Sequence, residues 1–220
     1  KEWVIEANEN GNSLHSGKNG FNHLMWEMKE SGDNYVTFYH YSPQEEQGFP
    51  GNMHVTVTYT LDDEDTVHIT YNAKADADTV MNFTNHSYFN LAGHDSGVML
   101  DQKLQLFADA YTPDEDSHSI PTGEIAPVAG TPMDFTTMKP IGQDINADFE
   151  QLHFTGGYDH NYVLSDKPGT MRQMAKAECD ASGIAMDAYT ECCGVQLYAG
   201  NFIGTQTGKG GVTYGDRHGF

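Results

Sequence analysis

Along most of the chain, apolar and polar positions alternate with a period of two. From Met53 to Leu61 the apolar set Val55, Val57, Tyr59 and Leu61 alternates with His54, Thr56, Thr58 and Thr60. Val67, Ile69 and Tyr71 then alternate with His68, Thr70 and Asn72. Successive side chains of a strand point to opposite faces, so both runs read as half-buried strands. The acidic run Asp62-Asp63-Glu64-Asp65 between them predicts the turn of an antiparallel hairpin. Strand signals of the same kind run over 35–41, 80–89, 103–111, 157–164, 184–189 and 195–198, rich in the Tyr, Thr and Val that favour pleated surfaces. Lys1 to Glu6 reads as a strand already in progress. Helical spacing is confined to Lys139–Leu152, where Ile141, Ile145, Phe149 and Leu152 predict one short turn or two. No repeat, low-complexity linker or shift in composition divides the chain. The pattern predicts a single all-β domain over residues 1–220, a large antiparallel β-sandwich rather than a barrel.

Composition narrows the ligands. The 220 residues carry 32 Asp plus Glu against 11 Lys plus Arg, a formal charge of -21, with only Arg172 and Arg217 as arginines. That balance argues against nucleic acid, whose phosphates need clustered Lys and Arg, and against an anionic membrane surface. It also argues against phosphorylated substrates that need an arginine clamp, and leaves a neutral ligand as the easiest fit. Cys179, Cys192 and Cys193 are odd in number and include an adjacent pair, which points to reduced thiols and a cytoplasmic setting. No stretch has the apolar length of a membrane span, and the start carries no signal-peptide pattern.

Four segments place polar groups where a plain strand would not need them. In Phe83-Thr84-Asn85-His86-Ser87-Tyr88-Phe89-Asn90-Leu91, His86 is flanked by amide and hydroxyl groups. It is a candidate general acid, because imidazole titrates near neutral pH, or else a core histidine satisfied by those neighbours. In Gly156-Gly157-Tyr158-Asp159-His160-Asn161-Tyr162, Asp159 offers acceptors for sugar-like hydroxyls, or caps a local turn together with Asn161. In the segment from Cys193 to Phe202, Gln196 can donate to and accept from a ligand hydroxyl, and Asn201 after Gly200 reads as a turn residue. Asn12-Ser13-Leu14-His15-Ser16-Gly17 is a polar loop with a second candidate imidazole, His15. The 11 histidines raise the question of a metal, but no pair has zinc-helix spacing and Cys192-Cys193 are not spaced as zinc-finger thiols. Phosphate-loop, dinucleotide and serine-elbow motifs are missing from the sequence.

Taken together, these segments resemble the aldose 1-epimerase (galactose mutarotase) family. The loop NSLHSG at 12–17 resembles its Asn-x-Leu-His-Gly-Gly loop with Ser16 for the first Gly, and EQGFPG at 46–51 resembles its Glu-(Gln/Glu)-Gly-(Phe/Tyr)-Pro-Gly turn. TNHSYFNLAG at 84–93 is the most specific stretch. IPTGEIAP at 120–127, GYDHNYVL at 157–164, GVQLYAGN at 194–201 and Gly208–Gly210 follow in the family's order. The resemblance implies a galactose mutarotase-like β-sandwich that binds free glucose or galactose and interconverts the α and β anomers, with neither metal nor organic cofactor. It assigns His86 as general acid at the ring oxygen, His15 as an assisting imidazole, and Asp159 and Gln196 as holders of sugar hydroxyls. Asn85, Tyr88 and His160 lie inside the motifs without an assigned role.

Two departures stand out. The family's general-base Glu would follow the segment ending Arg217-His218-Gly219-Phe220, and its substrate-binding Asn-Arg pair would precede the His15 loop. The resemblance therefore predicts a sandwich incomplete at both termini, with unpaired strand edges that lower its stability. Cys193 also stands where the family often has Pro. A sugar-binding protein without catalysis is the alternative of a different class. A phosphosugar epimerase fits poorly, because arginine is scarce. The expected assembly is a monomer or weak dimer.

Overall fold

The computed structural model describes residues 2–165 and 167–220. The chain divides into two compact units, Lys1–His86 and Ser87–Phe220. The first is built on one antiparallel sheet in the order β1 (Glu27–Ser31), β2 (Tyr35–Ser42), β3 (Met53–Leu61) and β4 (Val67–Ala75). β3 and β4 form the predicted hairpin, in register from Met53↔Ala75 to Leu61↔Val67. Asp62 makes the turn: its Oδ1 accepts the backbone N–H groups of Glu64 at 3.0 Å and Thr66 at 2.9 Å. Short acidic side chains favour turns because they bond their own backbone in this way. Alternation along β3 buries Met53, Val55 and Val57 on one face, and Thr58 on the other face bonds Thr37 at 2.9 Å between hydroxyls.

The second unit holds β5 (Lys103–Leu106), β6 (Ala110–Tyr111), β7 (Ala126–Pro127), β8 (Lys139–Pro140), α1 (Glu150–Phe154), β9 (Asp159–Val163), β10 (Arg172–Cys179), β11 (Ile184–Thr190), β12 (Gly194–Tyr198), β13 (Gln206–Thr207) and β14 (Thr213–Tyr214). Two four-stranded sheets, β11-β10-β5-β8 and β12-β9-β6-β7, share one core. Leu104, Leu106, Ala175, Ala177 and Cys179 come from the first sheet, and Tyr111, Tyr162 and Leu197 from the second. Two antiparallel layers over a common core make this unit a β-sandwich. The β13–β14 pair forms a separate two-stranded ribbon.

Several expectations need correction. Residues 80–89 form no strand: the chain passes from one unit to the next at His86–Ser87, and Phe89 exchanges two backbone hydrogen bonds with Phe220, at 2.8 and 3.0 Å. The run 103–111 is two strands in different sheets, because Phe107 donates to Met174 while Ala110 and Tyr111 pair with Val163 and Tyr162. Residues 139–152 hold β8 and turns, and the helix begins only at Glu150. Ile141, Ile145 and Leu152 are nonetheless buried, so the spacing reported burial and not helix. Residues 2–6 form no strand. Among the described residues no helix is long and apolar enough to cross a membrane.

Candidate functional site

The first unit brings the two predicted imidazoles into contact. Asn8 pins the loop that carries His15: its Oδ1 accepts the Leu14 N–H at 2.8 Å, and its Nδ2 donates to the Leu14 carbonyl at 3.1 Å. The Gly17 N–H closes a turn on the same carbonyl at 3.0 Å. His15 and Ser16 both sit in the left-handed region, at φ 51° and 69°. His86 arrives on an irregular segment anchored by aromatic packing. Phe83 stacks on Phe21 at 5.6 Å and on Tyr71 at 6.1 Å between centroids, and the Asn85 amide donates to the Tyr59 hydroxyl at 3.2 Å. The exposed rings of His15 and His86 meet edge to face, 5.2 Å apart at 77°.

The second unit brings together the predicted acid and amide. β9 and β12 pair with Asp159↔Tyr198 and Asn161↔Gln196, so these four side chains leave the same face, opposite the buried His160, Tyr162 and Leu197. Gln196 Nε2 donates to Asp159 Oδ1 at 2.8 Å. That bond orients the Gln196 amide and sets a carboxylate and an amide side by side, acceptor chemistry suited to ligand hydroxyls that donate. Gly194 opens β12 where an added Cβ would lie 2.2 Å from Asn161 Oδ1, so the bare backbone makes room for the amide beside the pair.

Two tyrosines that the sequence left without a role border this face. Tyr88 and Tyr198 meet edge to face at 5.9 Å. Tyr198 accepts the Phe202 N–H at 2.9 Å and keeps its own proton to donate. Burial, with help from the nearby Asp159 carboxylate, raises both phenols above their usual range and keeps them neutral donors. Tyr198 was hidden because its place beside Asp159 depends on strand register, which periodicity alone does not supply. Asn201 is a turn residue, as expected, and its amide holds the carbonyls of Thr155 and Tyr158 at 2.8 and 3.0 Å.

Comparison with known proteins bears on the family. The family model for aldose 1-epimerase matches residues 1–219. Galactose mutarotase from Mus musculus is 42% identical over 215 residues, covering 97% of this chain and 60% of that protein. Aldose 1-epimerase from Escherichia coli K12 is 36% identical over 216 residues, covering 98% of this chain and 62% of its own length. A GalM/aldose epimerase homologue from C. elegans superposes with TM-score 0.86 at 26% identity, over 100% of this chain and 64% of that one. Galactose 1-epimerase from Lactobacillus acidophilus follows with TM-score 0.74 at 27% identity, over 90% and 57%. The chain thus spans about three-fifths of the length of the curated relatives it matches. With the family model matching residues 1–219, the chain belongs to the aldose 1-epimerase family.

Proposed function

We propose that the protein interconverts the α and β anomers of free aldohexoses such as glucose and galactose through the open-chain aldehyde. The chemistry needs an acid that protonates the ring oxygen as a base takes the anomeric hydroxyl proton; rotation about C1–C2 follows, and the roles reverse. His86 supplies the acid, and His15, edge-on to it, assists. Asp159 and Gln196 hold sugar hydroxyls. The complementary base is not assigned to any residue of this chain, and the steps described require no metal or cofactor. The observation that carries the reading is the contact of His15 with His86, two imidazoles from distant loops with no packing role in a core. The acceptor-rich Asp159–Gln196 pair and the scarcity of arginine support a neutral polyhydroxyl substrate.

We take both compact units as parts of one functional domain, supported by the unbroken family match over 1–219. Free Cys179, Cys192 and Cys193 support a reducing, cytoplasmic setting, with the protein a monomer or weak dimer. The test is the decay of optical rotation of freshly dissolved α-D-galactose and α-D-glucose. The reading predicts acceleration over buffer that His86→Gln cuts by about 100-fold or more, the usual worth of a positioned acid. Sugar binding without acceleration would instead favour a binding protein.

A further inference from the structure

On the core side of β9, behind Asp159, a buried acid and a buried imidazole face each other. His160 is 1% exposed and Asp114 6%. His160 Nδ1 accepts the backbone N–H of Asp159 at 3.2 Å, so the neutral ring carries its proton on Nε2. Nε2 lies 3.8 Å from Asp114 Oδ2, and among the described residues neither atom has a hydrogen-bond partner. An unmet buried donor or acceptor costs about 1–3 kcal/mol. Here one of each is set across a single gap, and each is the other's natural complement.

Strand register explains the placement. β6 pairs with β9 through Tyr111↔Tyr162, and the Thr112 N–H continues the ladder to the Asn161 carbonyl at 2.9 Å. Two residues further along that register, residue 114 falls beside residue 159. β6 has ended by then. Gln151 of α1 instead clamps the Asp114 main chain, accepting its N–H at 2.7 Å and donating to its carbonyl at 3.0 Å. The Asp159 N–H, which points to the same edge, finds His160 Nδ1 in place of a strand acceptor. The Tyr111 ring stands edge-on to His160 at 5.9 Å and restrains it.

We propose that Asp114 and His160 form a buried relay that positions Asp159. When the 3.8 Å gap closes by about 1 Å or less, Asp114 Oδ2 accepts a hydrogen bond from His160 Nε2–H and so holds the tautomer. Nδ1 in turn holds the Asp159 backbone and sets the angle at which its carboxylate meets Gln196. Both are positioning residues and touch no ligand; the consequence for sugar rests on the function proposed above. Burial also suits the relay, since it pulls the His160 pKa down to about 4 and leaves the ring neutral at pH 7. Burial, followed by the Asp159 and Asp116 charges, raises Asp114 to about 6, still below neutral pH.

The test uses the intact chain. Ring 15N chemical shifts of His160 at pH 7 should show the tautomer protonated on Nε2. Asp114→Ala should shift the Asp159 amide resonance and raise the galactose KM about tenfold, worth ~1.4 kcal/mol, with kcat nearly unchanged. Asp114→Asn keeps an acceptor oxygen and should restore both. A proton on Nδ1 would overturn the relay. So would an Ala variant with unaltered Asp159 amide and KM, or an Asn variant as impaired as Ala. If Asp114→Ala fails to fold, the wild-type tautomer and the Asn variant still decide. Should the wild type neither bind nor convert sugar while the tautomer and amide responses hold, the relay stands and the functional reading falls.

Discussion

Burial moves Asp114 and His160 in opposite directions on the pH scale, and the two shifts oppose each other in stability. Asp114 has a folded pKa of about 6 against an ordinary 3.8, so the folded state holds its proton more tightly and stability is lost as pH rises from 3.8 to 6. His160 has a folded pKa of about 4 against 6.5, so the folded state binds its proton less well and stability is gained from pH 4 to 6.5. Between pH 4 and 6 the contributions offset each other. Relative to wild type, His160→Gln should therefore lose stability as pH rises through that window, and Asp114→Asn should gain it. Melting temperatures at half-unit pH steps check this; superimposable profiles for the three proteins would contradict it. The His15 loop stores a different cost. A left-handed backbone strains a residue with a Cβ by about 1–2 kcal/mol, and Ser16 takes it where the family resemblance has Gly.

At the scale of elements, legibility followed amphipathic contrast. The β3–β4 hairpin was plain because large apolar residues alternate with threonines across an Asx turn. β10 lacks that contrast: its inward residues include Ala175, Ala177 and Cys179, too small to stand out against Gln173, Lys176 and Glu178. β1 was hidden because Glu27–Ser31 is exposed throughout, a charged edge strand. The split of 103–111 between sheets depends on partners far along the chain. For the candidate site, motifs supplied His15, His86, Asp159 and Gln196. The Asp159–Gln196 bond and the Asp114–His160 gap needed strand register and burial, which local sequence does not encode. Gly157 shows how tightly the entry to β9 is built. Its φ is +140°, and a Cβ there would lie 2.5 Å from Arg217 Nη1 and 2.7 Å from Asn201 Oδ1. Gly157→Ala should destabilise the protein by about 1–3 kcal/mol through backbone strain and displacement of the Asn201 amide. Urea unfolding measures this, and a loss below about 0.5 kcal/mol would show that the neighbours yield freely.

Over the whole molecule, charge is the dominant feature. Lys103, Lys139 and Lys176 each pair with one aspartate, but 32 Asp plus Glu against 11 Lys plus Arg leave a formal charge of -21. Self-repulsion on this scale destabilises the compact state, and salt screens it, the Debye length falling from about 10 Å at 0.1 M to about 3 Å at 1 M. The melting temperature should rise by several degrees between those NaCl concentrations, about what 1 kcal/mol yields for a chain of this size. A flat or falling trend in differential scanning fluorimetry would mean that the charges are already spread too widely to matter.

The acidic, arginine-poor composition and the two polar pairs support one proposal, anomer interconversion of free aldohexoses with His86 as the acid. Polarimetry on freshly dissolved α-D-galactose tests it most directly. The account predicts that the protein hastens the approach to anomeric equilibrium and that His86→Gln removes nearly all of the gain. A rate equal to buffer, or acceleration that survives His86→Gln unchanged, would contradict it.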